Sequence, residues 1–232
     1  MLNTENNKNE NYLEAVTADS AAIYAAGFVQ SSSFYTSDKV ATITRTNVST
    51  MAWAWRRVYT EPTDRLNTIT ALALNPSGTK VAAYGWRHMS LAGSVDGYVF
   101  TVDAISGWKV SEILKIDHNS RTMEVKSARM LMDSNDVIYM AFYQISGSFY
   151  NNWESRLRIA SYNSATSTLG WIKEQTDYYG RAGALTFGSS PHGTDYLYLG
   201  GSGNDDNEDF YLSISQINFD GTLYYQHYLE PE

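Results

Sequence analysis

The sequence predicts an all-β fold built from four repeats of about 58 residues, and three observations carry that expectation. A short apolar segment returns four times at near-constant spacing. Strand-like runs with period-2 alternation flank it in the same order each time. No segment sustains the 3.6-residue apolar period of a helix.

The anchor segments are Ile23-Tyr24-Ala25-Ala26-Gly27, Val81-Ala82-Ala83-Tyr84-Gly85, Ile138-Tyr139-Met140-Ala141-Phe142 and Leu197-Tyr198-Leu199-Gly200-Gly201. Their last residues lie 58, 57 and 59 positions apart. Upstream of each stands a first strand: Leu13-Glu14-Ala15-Val16, Thr70-Ala71-Leu72-Ala73-Leu74, Ala128-Arg129-Met130-Leu131-Met132 and Ala184-Leu185-Thr186-Phe187. Downstream, an acidic residue opens a third: Asp38 before Val40-Ala41-Thr42-Ile43, Asp96 before Tyr98-Val99-Phe100, Glu154 before Leu157-Arg158-Ile159 and Asp209 before Phe210-Tyr211-Leu212. A turn then leads to a fourth, aromatic strand at Met51-Ala52-Trp53-Ala54-Trp55, Gly107-Trp108-Lys109-Val110, Gly170-Trp171-Ile172 and Gly221-Thr222-Leu223-Tyr224-Tyr225.

Four short strands per unit, punctuated by Gly, Ser, Asn and Asp, describe a propeller blade. Sheets stacked radially bury both faces, which explains strands that are apolar on both sides. The expected organisation is a polar segment over 1–11 and a single β-propeller over 12–232, with blades at about 12–62, 66–118, 125–176 and 181–229. The indoles Trp53, Trp55, Trp108 and Trp171 recur in the fourth strand and are expected to bury between neighbouring sheets.

The fourth unit, YLYLGGSGNDDNEDFYLSISQINFDGTLYYQHYL, resembles the bacterial "seven-bladed β-propeller" (SBBP) repeat and the related delta-60 repeat. Both pair a V-Y-V-A-G strand with D-F-V-A-K-L-x-x-x-G-x-L-x-W. The first unit, with IYAAGF, DKVATITRT and MAWAW, follows the same layout. The resemblance implies a propeller of the extracellular space or cell surface and brings no catalytic residues with it. The chain departs from that family in having only four units. An arc of four blades would leave apolar sheet faces at its ends, Val16, Ile23, Leu212 and Ile214 among them. A tight ring, pairing of two chains, end-to-end assembly or further polypeptide would cover them.

Composition removes several functions. A formal charge of -8, with no basic cluster beyond Arg56-Arg57, opposes a phosphate backbone, so no nucleic-acid partner is expected. The longest apolar stretch, Ala21 to Val29, falls far short of the roughly 20 residues that span a bilayer. Residues 2–11 lack the apolar core of a secretory signal, which suggests an intracellular protein or a leader lying outside this chain. With no cysteine there are no disulfides, thiolate nucleophiles or Cys-type metal sites.

The remaining chemistry is sparse. His88, His118, His192 and His227 show no metal-binding spacing, and no G-x-S-x-G elbow exists. The acids of 203–209, with Asp205, Asp206 and Asp209 as candidate ligands, could hold Ca2+, although Phe210 stands where an EF-hand loop needs glycine. No other cofactor is expected. Asp38, Asp96, Glu154 and Asp209 recur by position, either as loop caps or as an acidic ring at the channel mouth. Trp86 and Trp153, placed at strand-to-loop boundaries, are candidates for stacking on a sugar or a protein partner. Asn47-Val48-Ser49 is a glycan acceptor only in a secreted protein. The reading these features favour is a non-catalytic structural or protein-interaction module that binds copies of itself or joins a larger assembly. The alternative is a carbohydrate-binding or carbohydrate-active propeller using the exposed Trp and acidic residues.

Overall fold

The computed structural model describes residues 10–30, 39–59, 68–88, 95–111, 114–116, 122–148, 151–175, 179–189, 195–204 and 210–229. Sixteen strands form four antiparallel sheets of four, and no helix occurs among the described residues. The first sheet holds β1 (Glu10–Ala18), β2 (Ala22–Gln30), β3 (Lys39–Asn47) and β4 (Trp53–Val58). The second holds β5 (Thr68–Leu74), β6 (Lys80–His88), β7 (Val95–Asp103) and β8 (Leu114–Ile116). The third holds β9 (Thr122–Met132), β10 (Val137–Ser148), β11 (Asn151–Asn163) and β12 (Thr168–Gln175). The fourth holds β13 (Tyr179–Ser189), β14 (Asp195–Asn204), β15 (Phe210–Ile217) and β16 (Leu223–Leu229). Each sheet is a meander in which sequential strands pair, so the four-stranded blade expected from the repeat is the observed unit.

Successive blades pack through their first strands: β1 on β5, β5 on β9, and β9 on β13. Between the blades lie three apolar clusters. One joins Ala26 and Ile43 to Val81 and Phe100, the next joins Tyr84 and Val99 to Met140 and Phe142, and the third joins Ile159 to Leu185 and Leu199. No comparable contact joins the fourth blade to the first among the described residues. The described residues therefore trace an open arc.

The junctions are locked by polar contacts at the outer rim. Trp55 donates its indole N–H to Ala104 O at 3.3 Å, and the Tyr59 hydroxyl donates to Gly107 O at 2.9 Å. Trp171 makes the same contact between blades three and four, donating to Phe219 O at 2.8 Å. Each indole lies against a glycine with positive φ, Gly107 or Gly221, where a Cβ would come within 2.8 or 2.7 Å of the ring. The second junction uses charge instead. Asp136 accepts from Lys80 Nζ at 2.6 Å and Asn75 Nδ2 at 2.9 Å, while the buried rings of Tyr84 and Phe142 stack at 5.8 Å.

Two expectations are corrected. The fourth strand of the second blade is Leu114–Ile116, whereas Trp108 follows a tight turn and Lys109 makes only an isolated bridge to Val102. The cause is local: the Ser111 hydroxyl accepts the Thr101 N–H at 2.8 Å and interrupts the ladder. Nor do all four indoles bury. Trp55 and Trp171 pack against the core, but Trp53 is 60% and Trp108 65% exposed. A register shift between Arg45 and Thr46 breaks the alternation that would have put Trp53 beside Trp55. Trp108 is covered on one face by the Arg57 guanidinium, 4.4 Å from the ring centre.

Replacing Trp171 by Ala removes both packing and the junction hydrogen bond. It is expected to cost roughly 2–4 kcal/mol, against less than about 1 kcal/mol for Trp108→Ala; urea midpoints of the two variants check the order. A second expectation concerns Asp136. Partial burial raises its pKa, but the hydrogen bonds from Lys80 and Asn75 and the Lys80 charge outweigh this and hold the carboxyl below the usual range. Its contribution is therefore complete above about pH 4, the ordinary Asp value, and is lost as pH falls through the lowered one. The stability gap between wild type and Asp136→Asn should close on acidification.

Candidate functional site

The first strands converge on the axis, and each breaks register there. The shifts fall between Leu13 and Ala15 in β1, between Ile69 and Ala71 in β5, and between Ala182 and Ala184 in β13. In β9 the break lies opposite Ala141 and Tyr143. Each bulge inserts extra residues that re-aim side chains out of the pleat. The anchor glycines permit this, since a Cβ on Gly27 or Gly85 would strike the backbone oxygen of Tyr12 or Thr68 across the ladder.

The bulges surround a cavity of about 320 Å³, lined by residues 14–16, 70–72 and 128–130 and by Leu185. Its walls are aliphatic apart from three groups: Glu14, Thr70 and Arg129. Arg129 is fixed by donating through Nε to Gly183 O at 2.8 Å and through Nη1 to Ala128 O at 3.0 Å. The Thr70 hydroxyl is buried with no hydrogen-bond partner among the described residues. Desolvation pushes the Glu14 carboxyl above its ordinary pKa, with the Lys39 charge pulling the other way. One acid, one fixed cation and one hydroxyl can orient a small polar molecule. They do not make a nucleophile-and-base pair or a carboxylate dyad.

Those of the residues singled out in the sequence that are described do not line that cavity. Trp86 lies inside β6, opposite Thr68 and Gly97, and packs half-buried on the core between blades two and three. Trp153 and Glu154 lie inside β11, Glu154 opposite Ser146, and Asp96 lies inside β7 opposite Arg87. These strands start earlier than expected, so the two acids pair within the ladder instead of preceding it. Asp38, Asp205, Asp206 and Asp209 fall outside the described residues. Among the described residues no three side chains form a metal-binding group.

A second feature is the pair of end faces. The inner blades are buried on both sides, as the unbroken burial of Tyr98 to Val102 shows. β15 alternates instead: Ser213, Ser215 and Ile217 are buried, while Leu212 is 58% and Ile214 49% exposed. At the other end Val16 is 68% exposed, and Tyr12 and Leu13 are exposed with it. Ile23 is half-buried. The repeat pattern anticipates these faces. It does not anticipate the bulges or the cavity they open, because a bulge leaves no mark on an alternating pattern beyond a small residue on the partner strand.

No family model and no curated protein matches the chain. Solved structures do. An ACO/RPE65 chimera superposes with a TM-score of 0.52 at 14% identity, over 99% of this chain and 52% of that one. An acylaminoacyl peptidase bound to Z-Gly-Gly-Phe-chloromethyl ketone gives 0.51 at 9% identity, over 95% of this chain and 32% of the peptidase. The β-propeller domain of the Trilobed protease from Pyrococcus furiosus matches at 0.43 and 10% identity, over 95% of this chain and 81% of that domain. The chain thus spans about half the length of the chimera and a third of the peptidase. With four four-stranded sheets around one axis, it is a β-propeller.

The raised pKa of Glu14 has a definite sign. The folded state binds its proton more tightly than the unfolded chain, so stability falls as pH rises from about 4.3 through the raised value and is flat above it. Glu14→Gln should remove that step from a series of melting temperatures taken across the acid range.

Proposed function

We propose that the chain is a non-catalytic interaction module whose end blades bind a second copy. The observation that carries this reading is the pair of half-covered sheets, with Val16 at one end of the arc and Leu212 and Ile214 at the other. The three junctions inside the chain supply the template, because each covers sheet faces of the kind left open at the ends. Burial of such surface gains about 25 cal/mol per Å² of apolar area, and a stable interface needs about 1,600 Å² in total. A formal charge of -8 on each copy opposes the contact, so association should strengthen as salt screens it.

Carbohydrate recognition through Trp86, Trp153 and the acids Asp38, Asp96, Glu154 and Asp209 is the second reading. The half-buried packing of Trp86 weighs against sugar stacking at that position.

Sedimentation velocity over a wide concentration range tests the proposal. The expected result is growth beyond the 26.0 kDa chain mass with concentration and with salt. Leu212→Asp, at an exposed site that leaves the fold intact, should return the protein to the monomer. A single monomeric species at every concentration and salt would overturn it.

A further inference from the structure

Resting on that end-to-end reading, we infer its direction and register. The fourth blade of one copy docks on the first blade of the next, and Tyr225 seats against the turn that runs from Asn47 to Met51. The two indole junctions supply the pattern. Trp55 pairs with Arg45 just beyond a register shift in its strand ladder, and Trp171 pairs with Ser161 beyond an equivalent shift. Tyr225 occupies that same position in the fourth blade: it pairs with Gln216, and the shift again falls at the next pair, Ile217 with Leu223. The rim aromatic that the first and third blades present to their successors is thus present on the fourth and is exposed.

The receiving half is present at the other end. In the second blade the indole's acceptor, Ala104 O, lies in a turn in which Gly107 N–H bonds back to Asp103 O, and Ala104 N–H bonds to Thr79 O. The first blade repeats this turn: Met51 N–H bonds to Asn47 O, and Val48 N–H bonds to Ala21 O. By this correspondence Val48 O is the acceptor that faces a preceding blade, and Met51 stands where Gly107 stands. Val48 and Met51 are both exposed. Each end of the arc therefore carries one half of a junction that the chain builds twice internally. Because the two halves differ, the contact is heterologous, and it repeats in one direction until it closes.

One difference sharpens the test. Gly107 and Gly221 lie flush against their indoles, and a Cβ there would come within 2.8 and 2.7 Å of the ring. Met51 carries a Cβ at that point, so the copy-to-copy junction takes the narrower Tyr225 ring, with the Met51 thioether beside it, a favourable contact for an aromatic edge. Met51 also has a φ of 52°, a conformation glycine adopts freely, so Met51→Gly relaxes the turn.

The double variant Met51→Gly with Tyr225→Trp rebuilds the internal indole–glycine junction between copies. Its association midpoint in sedimentation velocity should fall at least about tenfold below that of wild type, a change worth about 1.4 kcal/mol. Tyr225→Trp alone should not tighten association, because the Met51 Cβ obstructs the indole. A second measurement reads direction. Val48→Asp and Leu212→Asp each block one end; each alone should stay at 26.0 kDa, and an equimolar mixture should form a species of twice that mass through the two intact ends. If wild type associates but the double variant does not tighten, the register is wrong and the end-to-end reading stands. If the mixture forms no pair, or if either single variant still pairs with itself, the direction is wrong. A wild type that is monomeric throughout overturns both readings and assigns the end faces to a different occupant.

Discussion

The inner sheets of this molecule are apolar on both faces and therefore need a neighbour on each side. That requirement follows from the sequence of the strands themselves. The strand Tyr98 to Val102 presents aromatic and aliphatic side chains to both sides, and both are buried between adjoining blades. A single such sheet would expose both faces to water at a cost of about 25 cal/mol per Å² of apolar area. The arc satisfies the rule for the second and third blades and leaves it half satisfied at the first and fourth. Val16, Leu212 and Ile214 are exposed on those two blades.

The junctions show how a repeat keeps its geometry while its chemistry changes. Blades one to two and three to four are locked by an indole that reaches a turn carbonyl over a glycine, whereas blades two to three use the contact of Lys80 and Asn75 with Asp136. The apolar clusters carry the bulk of the burial in all three, and the rim contacts set angle and register. At the axis, bulges in the four first strands bring Glu14, Thr70 and Arg129 to one cavity without breaking the blades.

Most of the blade architecture is legible in the residue pattern. The spacing of Gly27, Gly85, Phe142 and Gly201 reveals the blades because the second strand is central in each sheet and tolerates little variation. The first three strands of each unit fall where alternation places them. The fourth strand is less readable: it is an edge strand, so aromatic content is an unreliable guide, and Trp108 marks a turn. Trp86, Trp153, Asp96 and Glu154 lie inside strands because β6, β7 and β11 extend past their apolar stretches into polar residues, which a hydrophobic pattern does not register. The cavity is invisible in the pattern for another reason. It depends on which residues of four separate blades meet at the axis, and spacing along one chain does not specify that.

In the proposed assembly the ends of the four-bladed arc are covered by other copies. Single-particle electron microscopy of the species present at high protein concentration tests it most directly, because individual blades and their order can be traced. The account predicts the fourth blade of one copy packed against the first blade of another, with Leu212 and Ile214 enclosed at that contact. A particle of one chain whose own first and fourth blades pack together would contradict it.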